Sequence, residues 1–132
     1  MAGVKYFHSG KYEQAIGELS NAIHLNTADS HAYSFRGLAY ANLDQHHRAI
    51  QDFDKFMELD AGNKLAYINR GAIYGKLGQP QRAIQDFEKA IELDPAYAFA
   101  YSNRSFAYSE LGQHAKAEAD KVKACSLNRE LC

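Results

Sequence analysis

Arg36, Arg70 and Arg104 are each followed, sixteen residues later, by an aspartate: Asp52, Asp86 and Asp120. A guanidinium and a carboxylate form a planar, two-bonded ion pair, so the column predicts structural ion pairs that join or bridge repeated elements. The alternative use is a cationic stripe for phosphate or an acidic ligand. Asn69 and Asn103 directly precede the second and third arginines. On a helix that step turns them about 100° away, onto another face, where each carboxamide offers a donor and an acceptor together.

The remaining reactive side chains converge on nothing. The six histidines are His8, His24, His31, His46, His47 and His114, and none has zinc-ligand spacing with Cys125 or Cys132. Gly75-Lys76-Leu77-Gly78 spans a helix end, not the strand-to-helix turn of a phosphate loop. No nucleophile–base or paired-carboxylate arrangement can be placed. The expectation is a non-catalytic chain with no metal and no cofactor. Cys125 and Cys132 are seven residues apart. Within one helix that is a rise of about 10 Å, beyond what a disulfide spans, so free thiols are expected.

The elements that hold these residues follow from a repeat. Tyr33, Tyr67 and Tyr101 are spaced by 34, as are the arginines and Tyr40, Tyr74 and Tyr108. Ala15, Ala49, Ala83 and Ala117 keep the same interval, and so do Leu25, Leu59, Leu93 and Leu127. Within one period the apolar residues recur at steps of three and four, the spacing of a helix face. Residues 64–77 form one such helix; Gly78 and Gln79 break it and Pro80 opens a second over 80–93, closed by Asp94-Pro95. Gly37, Gly71 and Ser105 make a small-residue column that lets the two helices approach.

The pattern Y-x-x-R-G-x-x-Y-x-x-L-G followed by A-I-x-x-F-x-x-A-I-x-L-D-P, in residues 67–95, resembles the tetratricopeptide repeat. The match extends over nearly the whole chain. It divides residues 1–132 as one domain with a truncated unit at 1–29 and full units at 30–63, 64–97 and 98–131. The resemblance implies an all-α, right-handed superhelical solenoid of antiparallel helix hairpins, about three and three-quarter repeats long, with first helices lining a concave groove. In many members of the family an asparagine at the place of Asn69 and Asn103 holds the backbone of an extended peptide. The alternative is a solvated helix residue, and Phe35 interrupts the column in the second unit. Phe35, Leu38, Ile68, Phe99 and Phe106 are then the expected acceptors of apolar side chains. The lysine–asparagine pattern by which other members grip acidic chaperone tails is missing: only Asn69 of Ser34, Leu38, Asn69, Phe99 and Asn103 matches it.

The chain's 15 basic and 16 acidic residues nearly cancel, which argues against nucleic acid as a partner. No apolar run approaches a membrane span, and the N-terminus lacks a signal-peptide core. A cytoplasmic protein is expected. The function expected is an interaction scaffold for a protein or peptide partner. The alternatives are self-assembly through apolar surface left uncovered around Val4, Tyr6 and Phe7, and a regulatory or targeting fragment of a larger protein. In the last unit Glu118 and Lys121 replace the Ile50/Ile84 and Phe53/Phe87 of earlier units, as suits a helix facing water.

Overall fold

Each hairpin turns at a residue able to take the left-handed backbone conformation. In the computed structural model, which describes all 132 residues, Gly10, Gly78 and Gly112 have φ of 75°, 74° and 74°, and Asp44 has 59°. After each, an amide donates back to a tyrosine carbonyl at 2.9 Å: Lys11 to Tyr6, Gln45 to Tyr40, Gln79 to Tyr74 and Gln113 to Tyr108. This closure satisfies an orphan carbonyl at the helix end and fixes the reversal. Asp44 stands in for glycine because a short polar side chain tolerates the left-handed region.

Eight helices result: α1 (Ala2–His8), α2 (Tyr12–Leu25), α3 (Ser30–Asn42), α4 (His46–Leu59), α5 (Lys64–Lys76), α6 (Pro80–Leu93), α7 (Ala98–Glu110) and α8 (His114–Leu127). There is no strand. Pro80 is the first residue of α6, where its missing N–H costs nothing. Asp29 caps α3 by accepting from the Ala32 N–H, and Asn63 caps α5 by accepting from the Leu65 N–H. None of the helices is long and apolar enough to cross a membrane.

The helices fall into two compact units, Met1–Gly62 and Asn63–Cys132. In the first, α1 packs on α2, α2 on α3 and α3 on α4. Phe53 and Phe56 are fully buried, and Ala15, Leu19, Ile23, Ala32 and Ala39 form an interior cluster. Val4, Tyr6 and Phe7, expected to lie uncovered, are instead half-buried against that cluster. Two turns of α1 suffice to lay them on α2 and α3, because Gly3 lets α1 settle directly over Leu19.

In the second unit, α5 packs on α6, α6 on α7 and α7 on α8. Ala83, Ile84, Phe87 and Ala90 of α6 meet Ile68 of α5 and Ala100 and Ala107 of α7. The small-residue column works by steric insertion. A methyl group added at Gly37 would lie 2.8 Å from the Phe53 ring, and one at Gly71 would lie 2.7 Å from the Phe87 ring. In the last hairpin Lys121 replaces the ring and Ser105 replaces the glycine. Its buried hydroxyl donates to the Ala117 carbonyl at 2.8 Å.

The cysteines correct the expectation of free thiols. They form a disulfide, with Cα atoms 4.6 Å apart. The helical rise does not apply between them, because α8 ends at Leu127 and Asn128 turns extended. Asn128 accepts from the Glu130 N–H, and a short 3-10 turn, Arg129–Leu131, carries Cys132 back onto α8.

Two outcomes are expected. Gly71→Ala loses about 1–3 kcal/mol of stability in urea unfolding through overpacking against Phe87. Gly75→Ala, whose new methyl group meets nothing within 4 Å, loses none and gains roughly 0.5–1 kcal/mol from helix propensity. Equal effects of the two substitutions would contradict the insertion account. Protein purified without reductant and then denatured releases no thiol to a colorimetric reagent, and releases both after reduction; thiols already free before reduction would rule out the disulfide.

Candidate functional site

The arginine column is internal scaffolding in all three hairpins. Arg36 donates to both carboxylate oxygens of Asp52 at 2.9 and 2.7 Å, and Arg70 does the same to Asp86 at 2.9 and 2.7 Å. Arg104 meets Asp120 at 2.8 Å through both bonds. The aspartates are buried, so none of the three pairs presents a carboxylate to a ligand. Arg36 also donates to Ser20 on α2, and Glu88, at the corresponding place on α6, adds its charge to the field around Arg104. Arg36 and Arg104 therefore tie their own hairpins and reach toward the preceding helix within their own unit.

Hydrogen bonding to Asp52 pushes the Arg36 guanidinium further above its already high range, and Asp120 does the same for Arg104. The partners are not symmetrical. Burial pushes the Asp52 carboxyl up, and the Arg36 hydrogen bonds only partly oppose it. The guanidinium keeps its proton, and its hydrogen bonds and charge favour the carboxylate form of Asp52 against that burial. Such a pair adds little net stability but is costly to break on one side.

Sequence reading missed a second cation column. Arg36 and Arg48 both lie over the Tyr40 ring, at 5.8 Å each. Arg70 and Arg82 flank Tyr74 at 5.7 and 5.5 Å, and Arg104 and Lys116 flank Tyr108 at 5.6 Å each. Positions 48, 82 and 116 keep the 34-residue interval, so the signal was present. These contacts set two cations against each tyrosine ring and give the rings a structural role.

The side chains expected to face a partner separate into two groups. Phe35 is half-buried, with its ring 5.4 Å from Phe7 and 5.9 Å from His8. It closes the interior around α1. Ile68 is only 7% exposed and belongs to the core, because Ala100 and Ala107 let α7 come close enough to cover it. Neither is available as an open acceptor. Leu38 is half-buried in the first unit. Phe99 and Phe106 are 47% and 69% exposed, and Asn69 and Asn103 are partly exposed.

Asn103 and Phe106 come together, one turn apart on α7, in the wall of a pocket of about 450 Å³ in the second unit. Its floor is Gly71, Ala72 and Gly75 of α5 with Ala83 and Phe87 of α6 beneath. Lys76 and Glu110 stand at its rim. Asn69 and Phe99 do not line it. The pocket is apolar inside, with one carboxamide, and suits noncovalent binding of an apolar group rather than bond chemistry. No three His, Cys, Asp or Glu side chains converge to hold a metal ion.

Comparison with known proteins follows the same lines. Profiles of the tetratricopeptide repeat match residues 30–63, 65–97 and 86–119. A crystal structure of MamA aligns with a TM-score of 0.89 at 27% identity, covering 97% of this chain and 70% of that one. MamA 41-end from Desulfovibrio magneticus RS-1 gives 0.88 at 28% identity, covering 98% and 73%. The first TPR of Spaghetti (RPAP3), bound to the HSP90 peptide SRMEEVD, gives 0.74 at 26% identity, covering 76% and 79%. No curated protein sequence matches the chain.

One electrostatic link joins the start of α5 to the end of α6, at the opposite end of α5 from the pocket-lining Gly75 and Lys76. Lys64 donates to Asp94 at 2.6 Å and lies 4.3 Å from the centre of the Tyr97 ring. Lys64, and after it the Ala96 N–H, hold the Asp94 carboxyl below its ordinary value of 3.8. A depressed folded-state value contributes stability that is complete above the unfolded-state value and fades as pH falls through the folded one. Lys64→Met should therefore raise the Asp94 titration midpoint toward 3.8, read by carbonyl NMR, and flatten the acid side of the stability profile. An unmoved midpoint would refute the link.

Proposed function

We propose that this chain, which belongs to the tetratricopeptide repeat family, binds an extended segment of another protein on the exposed faces of α5 and α7. The family's hairpin fold serves as a protein-interaction scaffold. In this reading Asn69 and Asn103 hold the segment's backbone, each carboxamide pairing with one N–H and one C=O. Phe99 and Phe106 cover its apolar side chains. Phe35 and Ile68 drop out of the binding role for the packing reasons given above. The observation that carries the reading is the pairing of Asn103 with the widely exposed Phe106 at one apolar pocket. A large exposed phenyl group beside a free carboxamide suits a surface that a partner covers.

A solved neighbour, the first TPR of Spaghetti, is bound to the HSP90 peptide SRMEEVD. An acidic tail of that kind suits this chain poorly, since Ser34, Leu38 and Phe99 occupy three of the places where a clamp needs lysine or asparagine. Apolar contacts and main-chain hydrogen bonds would dominate instead. Affinity should then change little between low and moderate salt.

The test uses a partner captured from the native host and mapped to a peptide. Asn69→Ala combined with Asn103→Ala should weaken that peptide by about 1–3 kcal/mol in calorimetry, with the thermal midpoint unchanged. Full affinity in the double variant would reject the assignment of the asparagines.

A further inference from the structure

We infer that the α5–α7 pocket selects a segment with one bulky apolar anchor residue flanked by an acidic and a basic side chain; this rests on the groove reading above. The argument begins with Gly75. Glycine is disfavoured inside a helix, and packing usually explains it, as it does at Gly71. At Gly75 packing explains nothing, because an added methyl group would meet no atom within 4 Å. What the bare position preserves is volume in the floor of the pocket. The neighbouring position is reduced too. Ala72 stands where the preceding hairpin has Leu38 and the following one has Phe106.

The resulting hollow is about 450 Å³ and is overhung by a phenyl ring that is 69% exposed. A tryptophan, phenylalanine or leucine side chain from outside could enter it and cover Phe106 at the same time. Asn103, one turn before Phe106 on the same wall, is placed for the backbone of that anchor.

The rim supplies the flanking preference. Lys76, the last residue of α5, and Glu110, the last of α7, both line the pocket and are exposed, and neither is engaged in an ion pair within the chain. Two opposite, uncompensated charges are complementary to a segment carrying one charge of each sign. A uniformly acidic or uniformly basic segment would meet one attraction and one repulsion. The charges therefore choose the segment's direction, and the hollow chooses its anchor.

Short blocked peptides with one glutamate and one lysine on either side of a central residue provide the probe, the centre being tryptophan, leucine or alanine. Binding is followed by amide NMR shifts on α5 and α7. The tryptophan peptide should bind about ten- to a hundredfold tighter than the alanine peptide. Gly75→Leu, whose Cβ meets nothing within 4 Å, puts a branched side chain into the floor of the hollow, so it should reduce that difference while leaving the thermal midpoint equal or higher. Lys76→Glu with Glu110→Lys should favour the peptide with its two charges exchanged.

Equal affinity of the tryptophan and alanine peptides would overturn the anchor, and so would an undiminished preference in Gly75→Leu. If the asparagine double variant still weakens both peptides in that case, the groove reading survives alone. No binding of any peptide at millimolar concentration would overturn the inference, and the groove reading is then decided by the captured partner.

Discussion

Two contacts between residues sixteen apart, made side by side, set the geometry of the α3–α4 and α5–α6 hairpins. One is electrostatic, the two-bonded pair of Arg36 with Asp52 and its counterparts at Arg70 and Arg104. The other is steric and lies one residue further along, where the Phe53 and Phe87 rings fill the space that Gly37 and Gly71 leave. The ion pair gives direction but little net energy, since burying the carboxylate offsets much of its attraction. The ring gives energy, but a ring and a glycine have no strong rotational preference. Together they fix both the separation and the rotation of the two helices. Once that rotation is fixed, the faces of the first helix have no freedom. The residue before the arginine must face away from the hairpin partner, which is where Asn69 and Asn103 stand.

The last hairpin keeps the electrostatic contact and changes the steric one. Arg104 and Asp120 pair as in the other hairpins, while Lys121 removes the ring and Ser105 fills part of the gap and finds the Ala117 carbonyl. The same hairpin ends in the returned 3-10 turn that the Cys125–Cys132 disulfide holds against α8. Apolar insertion is thus replaced at this end by a hydrogen bond and a covalent link.

Much of this was legible in the sequence because a repeat reports the same constraint several times over. The 34-residue columns place α5 and α6 nearly to the residue, and the arginine–aspartate interval anticipates the pairs. Features involving a third element were not legible. Ile68 falls on the open side of α5 by helical spacing, yet α7 covers it because its contacting residues are alanines. Phe35 reads as an interruption of an asparagine column until Phe7 and His8 are seen against it. The disulfide escaped because the helical rise was carried past Leu127, where Asn128 had already turned the chain. The hollow at Gly75 escaped because a missing side chain leaves no mark in a periodic pattern unless its surroundings are known.

The double contact also decides where such a chain tolerates a change of length. One residue added to or removed from the turn inside a hairpin, at Gly78 for instance, would rotate the second helix by about 100° relative to the first. That single step would withdraw Asp86 from Arg70 and the Phe87 ring from Gly71 together. The linker between Leu25 and Ser30 carries neither contact and is held by the Asn26 and Asp29 side chains and by the Asp29 N–H donating to the Asn26 carbonyl. Related genes should therefore accumulate insertions and deletions between hairpins and conserve the count within them.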